Sequence, residues 1–478
     1  MIGRKKESAE LIELYEDGRA EFVAIYGRRR VGKTYLVDET MAGKITFRHT
    51  GLSPVEGKTL NVSPTRAQLQ AFYYSLIQHG MKKSHCPGDW LEAFFMLETL
   101  LQEKDTGTRQ VVFIDELPWM DTARSGFITG LEAFWNGWAC HRKNLMLIVC
   151  GSANSWILDK LINNHGGLYN RVTREIKLEP FTLLECEQLL NDKNITISRY
   201  DITQGYMILG GIPYYMNYFR KGKSLAQNID ELFFSGSAVL RQEYDRLFSS
   251  VFTNPEMMKK IVEFLNTRSA GFTRREIVDG TGISDGGMLS NALKSLIVSD
   301  FIVKYVPFGM GKRAEHYKLV DPFCIFYLRF VKDANGMNSS FWLENVNAPA
   351  IVSWRGYAFE NICFQHINQI KAALGISGVS TRQSAWSKRD DDQKGTQIDL
   401  LIERKDNVIN MCEAKFYSEE FSVDRDYDMI LRHRCAMLYG EISKKYVVNS
   451  TLITTFGLKQ NAYSGAFSNV ITMDDLFR

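Results

Sequence analysis

Short apolar segments alternate with helical patterns through the first 180 residues of the chain. The continuous apolar segments are EFVAIY (21–26), RQVVFIDEL (109–117) and LMLIVCGS (145–152). Apolar residues recur at helical spacing over 7–15, 68–79 and 90–103, and another helix is expected from Lys33 onward. Continuous apolar strands separated by helices are typical of a parallel sheet that is covered on both faces. The pattern therefore predicts an α/β fold.

The pattern becomes purely helical from about residue 182 to about residue 250. A junction is expected at Asn254-Pro255. Residues 256–320 then predict three helices and a β-hairpin, an order typical of a winged helix, with Ser284 as the N-cap of the candidate recognition helix. Residues 321–478 predict a helix at GYAFENICFQHI followed by strands at QIDLLIER, VINMCEAKF, TLITTF and NVITM.

The length fits this division, because 478 residues at roughly 100–200 per domain correspond to about three domains. We expect three parts, which are an α/β core with a helical extension, a winged helix and a C-terminal α/β domain. The expected bounds are 1–181 for the core, 182–254 for its extension, 255–320 for the winged helix and 321–478 for the last domain. The net charge of +3 neither requires nor excludes a nucleic acid, so a DNA-binding face would depend on local charge.

The eight cysteines indicate a reducing compartment. None lies in a CxxC pair, and no His/Cys group has zinc spacing. No apolar run approaches the ~20 residues of a membrane helix, and the N-terminus shows no apolar signal segment. We therefore expect a cytoplasmic protein with reduced thiols and no membrane partner.

The segment after the first apolar strand fits the pattern G-x-x-x-x-G-K-[ST] without a mismatch. Glycines let backbone N–H groups turn toward phosphates, and the following helix N-terminus adds a positive dipole end. Lys33 would reach the β- and γ-phosphates, and the hydroxyl of Thr34 would ligate Mg²⁺. The expected ATP-contacting residues are Gly27, Arg28, Arg29, Arg30, Val31, Gly32, Lys33 and Thr34.

Two acids end the second apolar segment, where a buried strand rarely carries charge. Asp115 is the candidate Mg²⁺ ligand, and Glu116 is the candidate base that orients the attacking water. Ser152 and Asn154, at the end of the third segment, compete for a role as γ-phosphate sensor, with turn formation as an equal alternative for each.

An arginine can supply positive charge to the transition state of phosphoryl transfer, from the same chain or from another copy. Arg171 is the stronger candidate and Arg174 the weaker one. The alternative for both is a surface arginine paired with an acid such as Glu175. If Arg171 acts from another copy, the protein is a homo-oligomer.

Several segments in a fixed order resemble the archaeal-type ATPase family of the AAA+/STAND branch of P-loop NTPases. They are GRKKE (3–7), YGRRRVGKT, VVFIDELPWM, IVCGS, LYNRVTREIKLEPF (168–181) and GGIPYYM (210–216). The resemblance covers about residues 1–250 and implies an ASCE-type core sheet followed by a small helical lid. It also implies that Arg4 lies near the nucleotide and that Gly211-Ile212-Pro213 belongs to the lid.

The predicted winged helix has two interpretations. Lys294 on the recognition helix, and Lys304, Lys312 and Arg313 near the wing, would contact DNA phosphates. However, the helix SDGGMLSNALKSLIVSD has one lysine and no arginine, which is poor for reading guanines in the major groove. A purely structural or protein-binding role stays open.

The C-terminal part carries a second candidate site. A hairpin with its turn at KDN (405–407) would place Asp399 beside Glu413, with Lys415 on the same face as Glu413. Adjacent carboxylates repel unless a cation joins them, so Mg²⁺ is expected between them. Lys415 would orient or help deprotonate a water, and Glu360 would be a further ligand from the preceding helix.

This arrangement resembles the PD-(D/E)xK restriction-endonuclease-like fold. Residues 321–478 resemble in particular the C-terminal domain often fused to archaeal-type ATPases, through DPFCIFYLRF, GYAFE, TQIDLLIE, CEAKF, TLITTFG and NVITMDDLF. Two features depart from the family pattern. Gln397 stands where an acid often precedes Ile-Asp, and Asp390-Asp391-Asp392 would repel phosphates.

The sequence thus predicts a protein that binds and hydrolyses ATP with Mg²⁺ and acts on DNA. Three functions remain open. They are an ATP-regulated DNA nuclease, a STAND-like switch that assembles and recruits partners without cutting, and a DNA-remodelling or transport-associated ATPase with an inactive nuclease fold.

Overall fold

The computed structural model describes residues 1–53, 62–163, 166–334, 338–388 and 396–478, without the side chains of residues 154, 312, 387, 388 and 399. The chain forms two compact units. The first comprises Met1–Pro180 with Asp245–Pro255, and the second Phe181–Tyr244 with Glu256–Arg478. The acidic run at 390–392 lies outside the described residues, as does the side chain of Lys312.

The first unit is built on a five-stranded sheet. Its strands are β1 (Glu21–Gly27), β2 (Ile45–Thr50), β3 (Gln110–Asp115), β4 (Leu145–Gly151) and β5 (Arg174–Leu178). All pairings are parallel, in the order β2-β3-β4-β1-β5. Every residue of β1, β3 and β4 is buried. The predicted parallel sheet and its three apolar strands are confirmed.

Six α-helices accompany this sheet within the described part of residues 1–180. They are α1 (Lys5–Glu16), α2 (Lys33–Thr40), α3 (Pro64–Gln78), α4 (Trp90–Glu103), α5 (Phe127–Gly137) and α6 (Asn154–Ile157). An aromatic cluster joins α3, α4 and α5, with Phe94 stacked on Phe134 at 5.4 Å between ring centroids. The helices predicted from apolar spacing are therefore present: the one at 90–103 has the predicted bounds, and the other two differ by a few residues.

Residues 183–251 are helical in the structure, as the sequence predicts. The helices are α7 (Leu183–Asp192), α8 (Arg199–Leu209), α9 (Pro213–Met216), α10 (Leu225–Ile229) and α11 (Glu243–Val251). Thr182 and Glu185 form a reciprocal capping box at the start of α7, which explains why the helix begins there.

Three helices and a small antiparallel sheet follow. The helices are α12 (Pro255–Leu265), α13 (Arg274–Thr281) and α14 (Gly287–Val298), and the strands are β6 (Phe272–Thr273), β7 (Ile302–Tyr305) and β8 (His316–Leu319). The strand order is β6-β8-β7. The predicted N-cap at Ser284 is wrong, because α14 begins after Gly286. Asp285, which precedes Gly286, forms an ion pair with Arg274.

The remaining residues form a mixed sheet with helices. The helices are α15 (Pro322–Phe326), α16 (Phe341–Asn345), α17 (Pro349–Gln365), α18 (Ile367–Ala373) and α19 (Arg425–Glu441). The strands are β9 (Thr381–Lys388), β10 (Thr396–Arg404), β11 (Val408–Lys415), β12 (Val447–Thr454) and β13 (Asn469–Thr472). The sheet order is β13-β12-β11-β10-β9. β9, β10 and β11 pair antiparallel, whereas β11, β12 and β13 pair parallel.

Two further expectations concern the whole chain. Among the described helices, none combines the length and apolar character that a bilayer crossing requires. All eight cysteines lie in the described ranges, and all are free thiols.

Candidate functional site

The P-loop begins where β1 ends and passes close to β5. Gly27 has a φ of 147°, and a Cβ atom there would lie 2.3 Å from the carbonyl oxygen of Leu178. Gly32, with a φ of 96°, immediately precedes α2, which starts at Lys33. Both glycines thus occupy backbone conformations that other residues rarely adopt. The loop delivers the N-terminus of α2 to the carboxyl edge of the sheet.

Lys33 is buried inside this loop, with 6% of its surface exposed. Its Nζ donates to the carbonyl oxygens of Gly27 at 2.9 Å and Arg28 at 3.1 Å, and to Oγ of Ser152 at 3.3 Å. Burial lowers the pKa of Lys33, and the nearby carboxylate of Glu116 opposes that shift. The ammonium is therefore surrounded by oxygen acceptors, a role that phosphate oxygens can assume.

Thr34 and Asp115 meet at the adjacent position. The hydroxyl of Thr34 donates to Oδ2 of Asp115 at 2.7 Å, and Asp115 is buried. The other carboxylate oxygen of Asp115 accepts from the backbone N–H of Glu116 at 2.9 Å. A hydroxyl from the P-loop next to an acid from β3 is the donor set that holds Mg²⁺ in P-loop NTPases, so the residues present fit that cation.

Glu116 is held by Ser152, which directly follows the neighbouring strand β4. Because β4 lies between β1 and β3, Ser152 lies between the P-loop and the paired acids. Its hydroxyl donates to Oε1 of Glu116 at 2.8 Å, and its backbone N–H donates to Oε2 at 3.2 Å. Glu116 also has a φ of 45°, a strained conformation for a non-glycine residue that is common at functional sites.

Ser152 contacts both Lys33 and Glu116, so the structure brings this candidate sensor into the site. The competing candidate, Asn154, has a side chain that lies outside the described residues. The choice between them therefore rests on the observed contacts of Ser152.

Arg4 supports the P-loop from the start of α1. Its Nη2 donates to the carbonyl oxygens of Val31 at 3.0 Å and Glu179 at 2.6 Å, and the side chain is buried. This places Arg4 against the loop backbone, next to the nucleotide-binding segment. Arg28 is also buried, whereas Arg29 and Arg30 are partly exposed.

The two candidate arginine fingers differ in their contacts. Nε of Arg174 lies 2.7 Å from Oε1 of Glu10 on α1, so Arg174 pairs with an acid, although not with Glu175. Arg171 is exposed, and it forms no ion pair within the described part of the chain. Its guanidinium is therefore accessible to a ligand or to another molecule.

The fold and this site define the class of the N-terminal region. The sheet is parallel, with a P-loop after β1, paired acids at the end of β3 and a polar residue after the intervening strand β4. This arrangement is typical of P-loop ATPases. Residues 1–219 match the protein family described as an ATPase domain predominantly from Archaea. The N-terminal region is thus similar to this family of ATPase domains, and residues 220–478 lie outside the match.

The chain is also similar to individual proteins. An uncharacterised protein of Methanocaldococcus jannaschii is 25% identical over 458 residues, which cover 94% of each chain. A Walker-type ATPase of Pyrococcus abyssi matches with a TM-score of 0.47 at 18% identity, over 69% of this chain and 96% of that one. The ORC2 protein of Aeropyrum pernix matches with a TM-score of 0.44 at 11% identity, over 69% and 93%.

The second candidate site centres on Glu413, at the end of β11. Its carboxylate accepts hydrogen bonds from the hydroxyl of Tyr427 at 2.9 Å and from Nη1 of Arg434. Nζ of Lys415 lies 3.8 Å from Oε2, so both residues share one face of the strand, as the alternation predicts. Burial raises the pKa of Tyr427, and the charge of Glu413 adds to that shift.

The structure describes only part of the predicted metal site around Glu413. The register pairs Leu400 with Cys412, so the backbone of Asp399 is the next residue toward Glu413, but its side chain lies outside the described residues. Glu360, on α17, lines a cavity of about 320 Å³. Among the side chains that the structure describes, no group of three His, Cys, Asp or Glu residues is arranged to hold a metal ion. The Mg²⁺ site at Asp399, Glu413 and Glu360 remains a prediction.

The sequence analysis missed Tyr427 and Arg434, the donors that hold Glu413. They lie seven residues apart on α19, and therefore on one face of that helix. That spacing was visible in the sequence, but nothing marked the helix as the one that covers Glu413.

The basic residues that were predicted to contact DNA phosphates near the small antiparallel sheet have different surroundings. Nζ of Lys304 lies 3.1 Å from Oε1 of Glu315, so its charge is compensated. Lys294 and Arg313 are exposed.

Proposed function

We propose that this chain is a Mg²⁺-dependent ATPase whose nucleotide state controls DNA binding by residues 255–478. The observation that supports the ATPase activity most strongly is the convergence of five side chains at one edge of the parallel sheet. They are Lys33, Thr34, Asp115, Glu116 and Ser152.

Each of these side chains has a defined task in hydrolysis. Lys33 exchanges its protein oxygen acceptors for oxygens of the β- and γ-phosphates. Thr34 and Asp115 would hold Mg²⁺, which when bound would neutralise the charge that develops on the phosphates. Glu116 accepts a hydrogen bond from the attacking water and orients it toward the γ-phosphate. Ser152 lies between Lys33 and Glu116 and senses the γ-phosphate.

The contacts of Ser152 also support a switch. Both oxygens of Glu116 accept hydrogen bonds from Ser152, so a movement of Ser152 would shift the carboxylate that orients water. Ser152 also accepts a hydrogen bond from Lys33. A ligand that draws Lys33 away therefore changes the hydrogen bonds between Ser152 and Glu116. Slow hydrolysis with a nucleotide-dependent change in the protein is therefore the second candidate function, a STAND-like switch.

The DNA-directed part of the proposal rests on the resemblance of residues 321–478 to PD-(D/E)xK proteins. The geometry at Glu413 favours binding over cleavage. Its charge is compensated by Arg434 and Lys415, which weakens the attraction of the Glu413 carboxylate for Mg²⁺. Cleavage would require the pair between Glu413 and Arg434 to open.

The test measures ATP hydrolysis with and without duplex DNA, together with cleavage of plasmid and linear DNA in Mg²⁺ or Mn²⁺. Lys415→Ala is compared with Lys405→Ala, a control at an exposed lysine in the turn after β10. DNA-stimulated hydrolysis without strand scission supports the proposal. Cleavage that Lys415→Ala abolishes and Lys405→Ala preserves would replace DNA binding with nuclease activity. No response to DNA would leave the switch as the function.

A further inference from the structure

Two tyrosines in and just after α9 lie on the surface of the second unit. Tyr214 is 41% exposed and Tyr218 is 37% exposed, whereas Tyr215 between them is buried. The two exposed rings pack against each other, with 5.4 Å between centroids and 85° between ring planes. The hydroxyl of Tyr218 also donates to that of Tyr214 at 2.8 Å. The rings therefore hold each other in nearly perpendicular orientations.

Buried residues fix the segment that carries these rings. The hydroxyl of Tyr215 donates to Oε1 of Glu243 at 2.9 Å, and its ring packs against Phe323 at 5.1 Å between centroids. Phe219, which follows Tyr218, is buried. A segment that is already held in place loses little conformational entropy when a ligand binds, so the exposed rings form a preorganised surface.

Positive charge lies beside the exposed rings. The segment PYYMNYFRKGKS contains three basic residues and no acid, and both Arg220 and Lys221 are exposed. Lys193, directly after α7, adds a further charge, since its Nζ donates to a backbone carbonyl between the two tyrosines. Glu231 compensates part of this charge, because it pairs with Arg220 and Lys223. The surface keeps an excess of positive charge.

The rings and the charges together fit a single-stranded nucleic acid better than a duplex. Proteins that bind single strands stack the bases on aromatic side chains and bind the phosphates with basic residues. The bases of a duplex are already stacked and parallel, so two perpendicular rings cannot both meet a base face there. The bases of a single strand can rotate apart, and each can then stack on one ring.

We propose that this surface binds single-stranded nucleic acid. One base stacks on each of Tyr214 and Tyr218, and the phosphates bind Arg220 and Lys221. Binding through ring faces and phosphates is tolerant of base sequence, and DNA and RNA share this chemistry. The surface lies outside residues 255–478, so the inference does not depend on the DNA binding that is proposed for those residues.

The test is fluorescence anisotropy of labelled oligo(dT), oligo(U) and a duplex of the same length, each titrated with the full chain. Tyr214→Leu and Tyr218→Leu should each weaken single-strand binding about tenfold, because the apolar bulk stays and the stacking ring is lost. Tyr218→Phe should keep most of the affinity, since the ring is present. Lys221→Gln should reduce the slope of log affinity against log salt by about 0.7, as the loss of one phosphate contact implies. Duplex affinity should stay unchanged in all four variants.

Tyr74→Leu, at an exposed tyrosine of α3, and Lys405→Gln, at an exposed lysine, are the matched controls. Far-UV circular dichroism establishes that each variant is folded, and the salt slope of Lys221→Gln decides the question if a leucine variant is not. Tighter binding of oligo(dT) or of oligo(U) supports the proposal and identifies the strand. Absence of binding by both single strands would overturn it. So would variants that weaken the duplex as much as the single strand, or that match their controls.

Discussion

At the residue scale, the ATPase site is a single hydrogen-bonded network. Lys33 donates to Ser152, and Ser152 donates to Glu116, so the phosphate-binding cation and the candidate base share one partner. The sequence motif identified Lys33 and Glu116 by spacing alone. It could not choose between Ser152 and Asn154, because only the strand order places Ser152 between the two motifs.

Substitution of Glu116 by glutamine should separate binding from turnover. The amide keeps the size of the side chain but cannot accept a proton from water, so hydrolysis should fall at least about 100-fold. ATP affinity, measured by titration with a fluorescent analogue, should stay within about threefold, since Lys33 and Thr34 hold the phosphates.

Phosphate release is measured in parallel, with Glu103→Gln at an exposed position of α4 as the control. If Glu116→Gln also loses ATP affinity, Glu116 supports the structure of the site rather than the attacking water.

Other residues of the site show where sequence spacing stops being informative. Arg4 is 175 residues from Glu179, yet it donates to that carbonyl and to Val31. Tyr427 and Arg434 likewise reach Glu413 across the C-terminal sheet. Such contacts depend on how distant segments pack, and only the resemblance pointed to Arg4.

At the element scale, buried strands were easier to predict than edge strands. β1, β3 and β4 lie inside their sheet and consist mostly of apolar residues. β2 and β5 lie at its two edges, and polar residues interrupt their apolar character, so the sequence analysis did not identify them. In the C-terminal sheet, the edge strand β9 was missed, whereas β13 at the opposite edge was predicted from NVITM.

The contact between β1 and β5 leads to a test at Gly27. An added Cβ would lie 2.3 Å from the carbonyl oxygen of Leu178, so Gly27→Ala must displace β5 or the P-loop. We expect a loss of about 3 kcal/mol or more in the free energy of unfolding, together with weaker ATP binding.

Gly18→Ala is the matched control for Gly27→Ala. Gly18 also has a positive φ, of 68°, but no atom lies within 4 Å of its added Cβ. Its cost should be limited to backbone strain of about 1 kcal/mol. Urea unfolding measures both variants, and equal losses would show that the contact with Leu178 is unimportant.

At the scale of the whole molecule, the sequence predicted α/β architecture for both ends of the chain, and the structure has a sheet in each. The proposed boundaries of the lid and the winged helix depend on functional analogy, so they stay predictions. The parallel sheet of the first unit could be predicted directly from its apolar segments. The predicted C-terminal metal site depends on the side chain of Asp399 and on the meeting of distant residues, which no local sequence pattern determines.

Two buried histidines predict how stability depends on pH. Burial lowers the pKa of His49 to about 3 and that of His366 to about 4. In the unfolded chain both titrate near 6.5, so the unfolded state binds more protons below that pH. Stability should therefore fall as pH drops from 7.5 through 6.5, by about 1.4 kcal/mol per histidine at pH 5.5.

Urea unfolding midpoints at pH 7.5 and 5.5 measure this dependence. His366→Gln should reduce it, and the exposed control His141→Gln should not. A dependence on pH that is identical in the wild type and in His366→Gln would show that His366 does not contribute.

The central claim is that the P-loop site hydrolyses ATP with Mg²⁺. Its most direct test is phosphate release by the full chain with Mg²⁺, with EDTA, and in the Lys33→Ala variant. We predict release that requires Mg²⁺ and falls to background in Lys33→Ala, because the phosphates lose the buried ammonium that binds them. Release at the wild-type rate in that variant, or in EDTA, would contradict the claim.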